Sequence, residues 1–365
     1  MKKTSSDKIS TQKIQFKSEA TVSQYQEQNP DLKLVIFEGV VYNINEYINL
    51  HPGGIDILQN LLGKSIDDAF EEISHSKAAR NIFQNLEIIG RMTSNNFTVD
   101  LNESDTQDSD QGQQQDKKDC DGLDGYKLKG NAWKPDYSRS LISQLWYDNI
   151  THEEYVNFVE EPKILINPRR SVKVFSNDFM EFFVKTPWYH LVIFYFPFIY
   201  TYIIESRQDI IQDAIWFSFG IFYWSFLEYL IHRFVFHAEK YWLPYNKAFK
   251  VVHFLGHGMH HAFPNEPKAT LVPVLLGYIL VKAMLDPFIR LLLPDNVEDI
   301  FIAGTLFGYV IYDLIHHFIH QSQFNGGYMK TVKLYHMQHH YKSGWAGFGV
   351  THKFWDIVFR TELKF

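Results

Sequence analysis

The chain has 365 residues, 45% of them hydrophobic and 16% aromatic, so it is too apolar to be mostly disordered and long enough for two or three domains. Its formal net charge of -7 argues against a nucleic-acid partner, which usually meets a basic surface. One cysteine, Cys120, excludes an intramolecular disulfide and a thiolate metal cluster. Any metal must use other ligands, and thirteen of the 17 histidines lie between His232 and His352.

The first predicted domain, residues 14–92, is small and of mixed α+β type. Residues 1–13 are polar and lack the apolar segment of a secretory signal peptide, so we expect the N-terminus to lie in the cytosol. Leu34 to Phe37 and the Val-Val-Tyr run after Glu38-Gly39 predict two short strands around a glycine turn. Residues 93–125 are rich in Asp, Asn, Gln and Ser and predict a flexible acidic linker.

Two histidines of this domain are candidate haem ligands. His51 opens the run His51-Pro52-Gly53-Gly54, which predicts a tight loop that other groups can approach closely, and His75 follows 24 residues later. Two imidazoles can fill both axial positions of a haem iron, which favours electron transfer. The alternative is that His51 only belongs to a turn. The expected walls of the haem pocket are apolar: Leu58, Leu61, Phe70, Ile73 and Phe83.

Residues 33–91 resemble a cytochrome b5 domain. The resemblance is carried by the His-Pro-Gly-Gly motif at His51 and by the later dipeptide His75-Ser76. It implies a b-type haem with His51 and His75 as its axial ligands. The tryptophan that many members carry in the first strand is missing from Leu34 to Phe37.

The third predicted region, residues 126–365, is an all-α membrane domain. Four apolar stretches approach the roughly 20 residues that a membrane helix needs, at residues 188–204, 214–231, 269–293 and 300–319. The last two are interrupted by Lys282, Asp286, Arg290 and Asp313. The alternative is a set of buried helices in a soluble all-helical domain.

Charge distribution predicts the orientation of these spans. Arg169, Arg170, Lys173 and Lys185 precede the first span, so its N-terminal side is expected to be cytosolic. The chain returns to that side after each pair of spans. Both C-terminal histidine clusters, the N-terminal domain and both termini are therefore expected on one cytosolic face, with the histidines forming a cap on about four transmembrane helices.

The C-terminal histidines fall into four groups that predict a metal site. Ten of them are candidate ligands: His232, His237, His257, His260, His261, His316, His320, His336, His339 and His340. Spacings of three and four put side chains on one helix face, whereas the spacing of five between His232 and His237 does not, so these two are expected to reach the site from a helix end or from different sides. Imidazole suits iron, copper and zinc, and this many nitrogens can hold two ions.

The remaining histidines and three acidic residues are assigned supporting positions. His253, His317 and His352 fit the convergence least well and are expected to pack beside it, while His152 and His190 stand alone. The acidic residues that are candidates to orient the ligand rings are Glu228, Asp313 and Asp356.

Residues 179–365 resemble the fatty acid hydroxylase and sterol desaturase superfamily of membrane di-iron oxygenases. The matching motifs are Glu228-Tyr229-x2-His232-Arg233-x3-His237, His257-Gly258-x-His260-His261, Tyr312-Asp313-x2-His316-x3-His320 and Tyr335-His336-x2-His339-His340-Tyr341. The resemblance implies that the ten histidines bind two iron ions, which zinc can replace in purified protein, and that they form the catalytic centre. O2 is the implied co-substrate.

Together with the haem domain, the chain resembles the fatty acid 2-hydroxylases. That resemblance implies hydroxylation of the carbon next to the carboxyl of a fatty acyl chain, as free acid or ceramide, in sphingolipid synthesis. It also implies a multi-pass protein among the lipids of the endoplasmic reticulum membrane, supplied with electrons by a cytosolic NAD(P)H-dependent cytochrome b5 reductase or a similar enzyme.

Three alternatives stay open at this point. A front-end acyl desaturase also joins a cytochrome b5 domain to histidine motifs, but its last motif usually begins with glutamine where this chain has His336. A sterol oxidase is less often fused to a haem domain. A membrane haem protein that only transfers electrons would use the histidines for structural zinc.

Overall fold

The computed structural model describes residues 14–51, 55–72, 77–93, 133–163, 171–206, 209–324 and 326–363. The chain divides near residue 119 into two compact units. The predicted linker at 93–125 lies outside the described residues except for Thr93, so the linker and the proposed domain boundaries stay predictions.

The described part of the N-terminal unit forms a four-stranded sheet with short helices. In chain order its elements are β1 (Ile14–Phe16), α1 (Glu19–Gln28), β2 (Leu34–Phe37), β3 (Val40–Asn43), α2 (Ile55–Gln59), α3 (Asp67–Glu72), α4 (Lys77–Ile82) and β4 (Glu87–Met92). The strand order is β1-β4-β3-β2, with β1 parallel to β4 and the other pairs antiparallel. The predicted hairpin is confirmed: Glu38 and Gly39 have φ angles of 49° and 72°, as its two-residue turn requires.

Strand β2 is buried on both faces and separates two small cores. Val35 and Phe37 face a cluster with Leu58 and Phe70, whereas Leu34 and Ile36 face the opposite side. Successive side chains of a strand point to opposite faces, so four consecutive apolar residues serve both cores. The predicted pocket residues Leu61 and Phe83 pack against the first cluster together with Leu58 and Phe70, and Ile73 lies outside the described residues.

All regular secondary structure in the described part of the C-terminal unit is helical. Its helices are α5 (Leu141–Tyr147), α6 (His152–Glu160), α7 (Asp178–Val184), α8 (Trp188–Glu205), α9 (Ile210–Ile231), α10 (Lys247–His253), α11 (Met259–Ala262), α12 (Val274–Leu280), α13 (Asp286–Leu292), α14 (Glu298–Gln321), α15 (Gly327–Tyr341) and α16 (Phe354–Phe359). One apolar core lies mainly among α8, α9, α13 and α14, and a second among α5, α6 and the α10–α11 region.

Three wide π-helical turns interrupt these helices. The turn His232–Phe236 extends α9, Phe254–Gly258 joins α10 to α11, and Val281–Leu285 joins α12 to α13. Such turns insert a residue into a helix and are frequent at functional sites. The first two contain or adjoin predicted metal ligands.

Two helices in the described part are long and apolar enough to cross a membrane, Ile210–Phe236 and Glu298–Gln321. Only 22% of the most apolar 18 residues of the first are buried, against 72% for the second, so α14 is the central helix of the bundle and α9 presents an apolar outer face. The expected count of about four spans is therefore not confirmed.

The other two expected spans differ from simple membrane helices. Helix α8 has 18 residues and contains Pro197, and the stretch 269–293 is split into α12, a π-helical turn and α13. Its charged residues are paired: Asp286 accepts hydrogen bonds from Lys282 Nζ at 2.6 Å and Arg290 Nε at 2.7 Å. This local pairing lowers the cost of charges within an apolar helix bundle.

Candidate metal centre

The ten predicted ligand histidines meet at the ends of four helical segments. His232 and His237 follow α9, three more lie at the α10–α11 junction, His316 and His320 end α14, and the last three belong to α15. All ten are buried except His320, which is half-buried. Segments far apart in sequence therefore deliver imidazoles to one interior region.

Five rings form what we call the first histidine group: His260, His316, His320, His336 and His340. One nitrogen from each lies within 4.8 Å of those of the others. His336 is central, since its Nε2 lies 3.0 Å from the Nε2 atoms of His316, His320 and His340.

The other five rings form the second histidine group: His232, His237, His257, His261 and His339. In the first four, one nitrogen from each lies within 4.8 Å of those of the others. His339 joins them because its Nε2 lies 2.9 Å from His237 Nε2. The two groups account for all ten predicted residues.

The nitrogen geometry fits bound cations better than hydrogen bonds between rings. A neutral imidazole nitrogen carries either one hydrogen or one lone pair, so His336 Nε2 cannot satisfy three neighbours. Two nitrogens about 2.1 Å from one ion and about 90° apart around it are about 3.0 Å from each other. That is the separation seen around His336.

Unpartnered buried nitrogens support the same fit. Among the described residues, Nε2 of His232, His257 and His261 is buried and has no hydrogen-bond partner. Burial, with the His232 and His237 rings nearby, lowers the pKa of His260 to about 3, and burial likewise lowers the pKa of His257. The rings are therefore neutral at pH 7, which is the form that binds a metal.

The π-helical turn His232–Phe236 explains how a spacing of five works. The backbone N–H of His237 donates to His232 O at 3.2 Å, so the turn closes over five residues and brings both rings to the same group. His232 and His237 thus reach the site from the end of α9, which is one of the two expected arrangements. The sequence did not reveal the wide turn that brings both rings to one side.

Two second-group rings are oriented by a loop at residues 346–351. His232 Nδ1 donates to Phe348 O at 2.6 Å and His339 Nδ1 donates to Ala346 O at 2.7 Å. With the hydrogen fixed on Nδ1, each ring turns its Nε2 lone pair toward the group. The loop therefore decides which nitrogen of these two rings faces the rest of the second histidine group.

Two of the predicted orienting carboxylates act on this loop and not on a ring. Glu228 Oε1 accepts from the backbone N–H groups of Val350 and Thr351, both at 2.8 Å. Asp356 accepts from those of Phe348 and Gly349 at 2.9 and 2.8 Å. Asp313 is buried on α14 and makes no hydrogen bond to a histidine ring among the described residues.

Glu239 is the acidic residue that the sequence did not single out. Its Oε1 accepts from His237 Nδ1 at 2.9 Å, and its Oε2 accepts from His253 Nε2 at 2.6 Å. The available signal was its position two residues after a candidate ligand. His253 thus lies beside the second group, as expected, and His317 lies 2.8 Å from Thr270 Oγ1, outside both groups.

The candidate haem site is described only in part. His51 follows the short turn Ile48–Leu50, is half-buried, and packs edge-on against Tyr47 with ring centroids 6.1 Å apart. His75 lies outside the described residues. Leu58 and Phe70, two of the predicted pocket residues, lie in an apolar cluster of the same unit, and the haem ligands stay a prediction.

Two family models match separate parts of the chain. Residues 217–361 match the fatty acid hydroxylase model, and residues 18–93 match the model of the cytochrome b5-like haem/steroid binding domain. The first match contains all ten grouped histidines and the second contains His51 and His75.

Relatives of known activity match over most of their length. A ceramide very long chain fatty acid hydroxylase, SCS7, of Saccharomyces cerevisiae is 29% identical over 96% of this chain and 95% of its own. A fatty acid 2-hydroxylase of Rattus norvegicus is 28% identical over 88% and 89%. A dihydroceramide fatty acyl 2-hydroxylase, FAH1, of Arabidopsis thaliana is 31% identical over 62% and 92%.

A solved structure has the same fold in the C-terminal region. It is that of full-length scs7p, in which only the hydroxylase domain is visible, and it superposes with a TM-score of 0.60 at 33% identity. The match covers 63% of this chain and 86% of that one. The chain therefore belongs to the fatty acid hydroxylase family and carries a cytochrome b5-like domain ahead of its hydroxylase domain.

Proposed function

We propose that the protein hydroxylates carbon 2 of fatty acyl chains for sphingolipid synthesis, with the two histidine groups as its di-iron catalytic centre. The observation that carries this proposal is the convergence of ten imidazoles, five in each group, on two neighbouring positions. The relatives are named as 2-hydroxylases of fatty acids or of ceramide acyl chains. These names are compatible with either a free fatty acid or a ceramide as the substrate.

The chain contributes ligands and orientation, while the metal contributes the oxygen chemistry. When bound, two iron ions would supply O2 activation, so that one oxygen atom enters the C–H bond beside the acyl carbonyl and the other leaves as water after two electrons and two protons are taken up. The buried neutral rings hold this centre away from bulk water. The loop at 346–351 keeps His232 and His339 turned toward it.

An aromatic cluster in the helix bundle leads to the first histidine group. Trp224 packs against Tyr309 and Tyr312 with ring centroids 5.1 and 5.8 Å apart, and Tyr312 stacks on His316 at 5.9 Å. Apolar and aromatic surfaces of this kind bind an alkyl chain, with a few polar atoms to fix its position. We assign this cluster to orientation of the acyl chain near its carboxyl end.

Electron supply is assigned to the N-terminal unit. His51 and His75 would hold a b-type haem, which would supply one-electron transfer. A cytosolic NAD(P)H-dependent cytochrome b5 reductase is the proposed donor. The acidic composition of residues 93–125 predicts a flexible linker, and a flexible chain of about 30 residues has a root-mean-square span of about 30 Å.

The proposed location is the endoplasmic reticulum membrane, crossed several times, with both termini cytosolic. Helices α9 and α14 both reach the histidine groups at their C-terminal ends, so they run in the same direction and place the centre at one end of the bundle. This agrees with the positive residues before α8, which favour a cytosolic position for that end.

The function is tested in cells that lack 2-hydroxylated sphingolipids. Expression of the full chain should restore 2-hydroxy acyl chains, measured by lipid mass spectrometry, whereas His257→Ala with His260→Ala should abolish them. The control His152→Ala, outside both groups, should keep the activity. New double bonds without hydroxylation would identify a desaturase, oxidised sterols a sterol oxidase, and unaltered lipids with a normal haem spectrum an electron-transfer protein.

A further inference from the structure

A buried row of three polar side chains connects the second histidine group to helix α6. Glu239 lies between two imidazoles, with one carboxylate oxygen 2.9 Å from His237 Nδ1 and the other 2.6 Å from His253 Nε2. Its side chain is 1% exposed. Both carboxylate oxygens of Glu239 are therefore occupied by imidazole nitrogens away from solvent.

The last side chain of this row is a tyrosine that is fully buried. Tyr155 Oη lies 2.6 Å from His253 Nδ1 and 3.3 Å from the carbonyl oxygen of Lys250. Because His253 contacts Glu239 through one ring nitrogen and Tyr155 through the other, its ring cannot rotate without breaking both contacts. Tyr155 thereby fixes His253, and His253 fixes Glu239.

The same row of side chains also packs against the π-helical turn that contains His257. A Cβ atom added at Gly258 would lie 2.9 Å from Tyr155 Oη and 3.2 Å from His253 Nδ1, so the backbone after His257 passes directly over this pair. Tyr155 and His253, which lie behind the Glu239 partner of His237, thus also pack against the backbone that follows His257.

Several rings of the first histidine group have no comparable hydrogen-bond acceptor. Among the described residues, the Nδ1 atoms of His260, His336 and His340 are buried without a hydrogen-bond partner. In the second group, by contrast, Nδ1 of His232, His237 and His339 each has an acceptor. The two groups therefore differ in how firmly the protein sets ring orientation.

We propose that Glu239 is a positioning residue for the metal ion of the second group, and that His253 and Tyr155 hold it in place. Glu239 fixes the hydrogen of His237 on Nδ1, which leaves the Nε2 lone pair facing His339 and the rest of the group. A carboxylate that accepts from a ligand histidine also makes that ring more basic, and removing such a partner weakens metal binding by about 10- to 100-fold. The proposal rests on the metal site proposed above.

The test uses the full-length protein, purified in detergent and loaded with Fe2+ or Co2+. The key variant is Glu239→Gln, which keeps the shape but presents an NH2 group to one of the two ring N–H donors. The matched control is Glu160→Gln, whose carboxylate lies 3.5 Å from Lys240 Nζ and contacts no histidine of either group. Metal ions per chain and the rate of metal release to a chelator are measured for each variant.

We expect Glu239→Gln to release one of the two ions about 10- to 100-fold faster than the wild type, while the other ion is released at the wild-type rate. Tyr155→Phe should change the same ion in the same direction by a smaller factor, and the control should match the wild type. In the Co2+ form, only one of two sets of visible absorption bands should change. The thermal unfolding midpoint of the metal-free protein should stay the same.

Two results would overturn the proposal. In the first, both ions of Glu239→Gln are released at wild-type rates. In the second, both ions are lost together and the metal-free protein unfolds at a lower temperature, which would make Glu239 a structural residue. Wild-type protein that binds no metal would instead reject the proposed function, so the two failures are distinguishable.

Discussion

The orientation of the rings in the second histidine group depends on hydrogen-bond acceptors that other side chains hold in place. Phe348 O receives the hydrogen of His232 Nδ1, and the backbone around Phe348 is held by Asp356 on one side and by Glu228 further along the loop. Glu228 is only 3% exposed, so its hydrogen bonds are protected from water. Glu228 therefore supports the orientation of the His232 ring through the loop and does not contact the ring itself.

This arrangement predicts different effects for two substitutions at Glu228. Glu228→Leu leaves the N–H groups of Val350, which is buried, and Thr351, which is half-buried, without an acceptor. This should destabilise the protein by about 1–3 kcal/mol and displace the loop. Glu228→Gln keeps Oε1 for both N–H groups and should cost far less. Thermal unfolding in detergent and metal content per chain measure both effects. Equal loss in the two variants would contradict this role.

The sequence predicted which residues meet but not which atoms orient them. Spacings of three and four identified the histidines that share a helix face, and all ten lie in the two groups. Glu239 and the carbonyl of Phe348 could not be found this way, because their contacts depend on how a turn and a distant loop fold. Glu228 and Asp356 were noticed as acidic residues, but they bind loop backbone instead of imidazole.

Helices α9 and α14 both end at the histidine groups, and their backbones pack in close contact. A Cβ atom added at Gly304 would lie 2.1 Å from Phe217 O, and one added at Gly220 would lie 2.3 Å from Phe301 O. Each glycine thus receives the backbone of the opposite helix. Small residues at helix contacts allow this close approach within membranes.

Gly304→Ala should therefore separate the two helices. The added methyl group meets backbone atoms, which cannot rotate away, so we expect a loss of about 1–3 kcal/mol and a lower midpoint of thermal unfolding in detergent. Gly326→Ala is the control, because a Cβ atom there meets nothing within 4 Å. If both variants unfold at the wild-type temperature, the close helix contact is not as described.

A buried lysine joins α14 to α15 next to the first histidine group. Lys333 Nζ donates to Ile319 O at 2.9 Å and Ser322 O at 3.0 Å, at the end of α14 just beyond His316. Burial lowers the pKa of Lys333 to about 8. A donor at this position satisfies carbonyl groups that have no partner within their own helix.

Lys333→Met should leave these carbonyls unpaired and loosen the contact between the two helices. We expect a loss of about 1–3 kcal/mol in unfolding free energy and weaker metal retention in the first group only. Lys330→Met on the same helix provides the comparison. Unfolding temperature and metal release are the readouts, and wild-type values for Lys333→Met would refute the proposed link.

Among the features of the helices, the interruptions by π-helical turns were the hardest to predict from the sequence. The stretch 269–293 was expected to be one span, yet it contains a π-helical turn between α12 and α13. Its charges were visible in the sequence, but their pairing around Asp286 depends on the packed bundle. The π-helical turn at His232–Phe236 was likewise hidden, because a spacing of five reads as a mismatch on an ideal helix.

At the scale of the whole molecule, the chain combines two units with different folds. The N-terminal unit has the small sheet of a cytochrome b5-like domain, and the C-terminal unit has the helical fold of the hydroxylase domain of scs7p. The motifs at His51 and at the ten grouped histidines were enough to predict both domains. The number of membrane spans was harder to predict, because aromatic and charged residues make two of the four stretches differ from simple apolar helices.

The central claim is that ten histidines bind two ions in one chain, and the metal-to-protein ratio of the purified full-length protein tests it most directly. After loading with Fe2+ and removal of free metal, we predict two ions per chain. His336→Ala should lower the number to one by emptying the first group, and His237→Ala should lower it to one by emptying the second. A wild-type ratio of zero or one, or a ratio that neither substitution changes, would contradict the account.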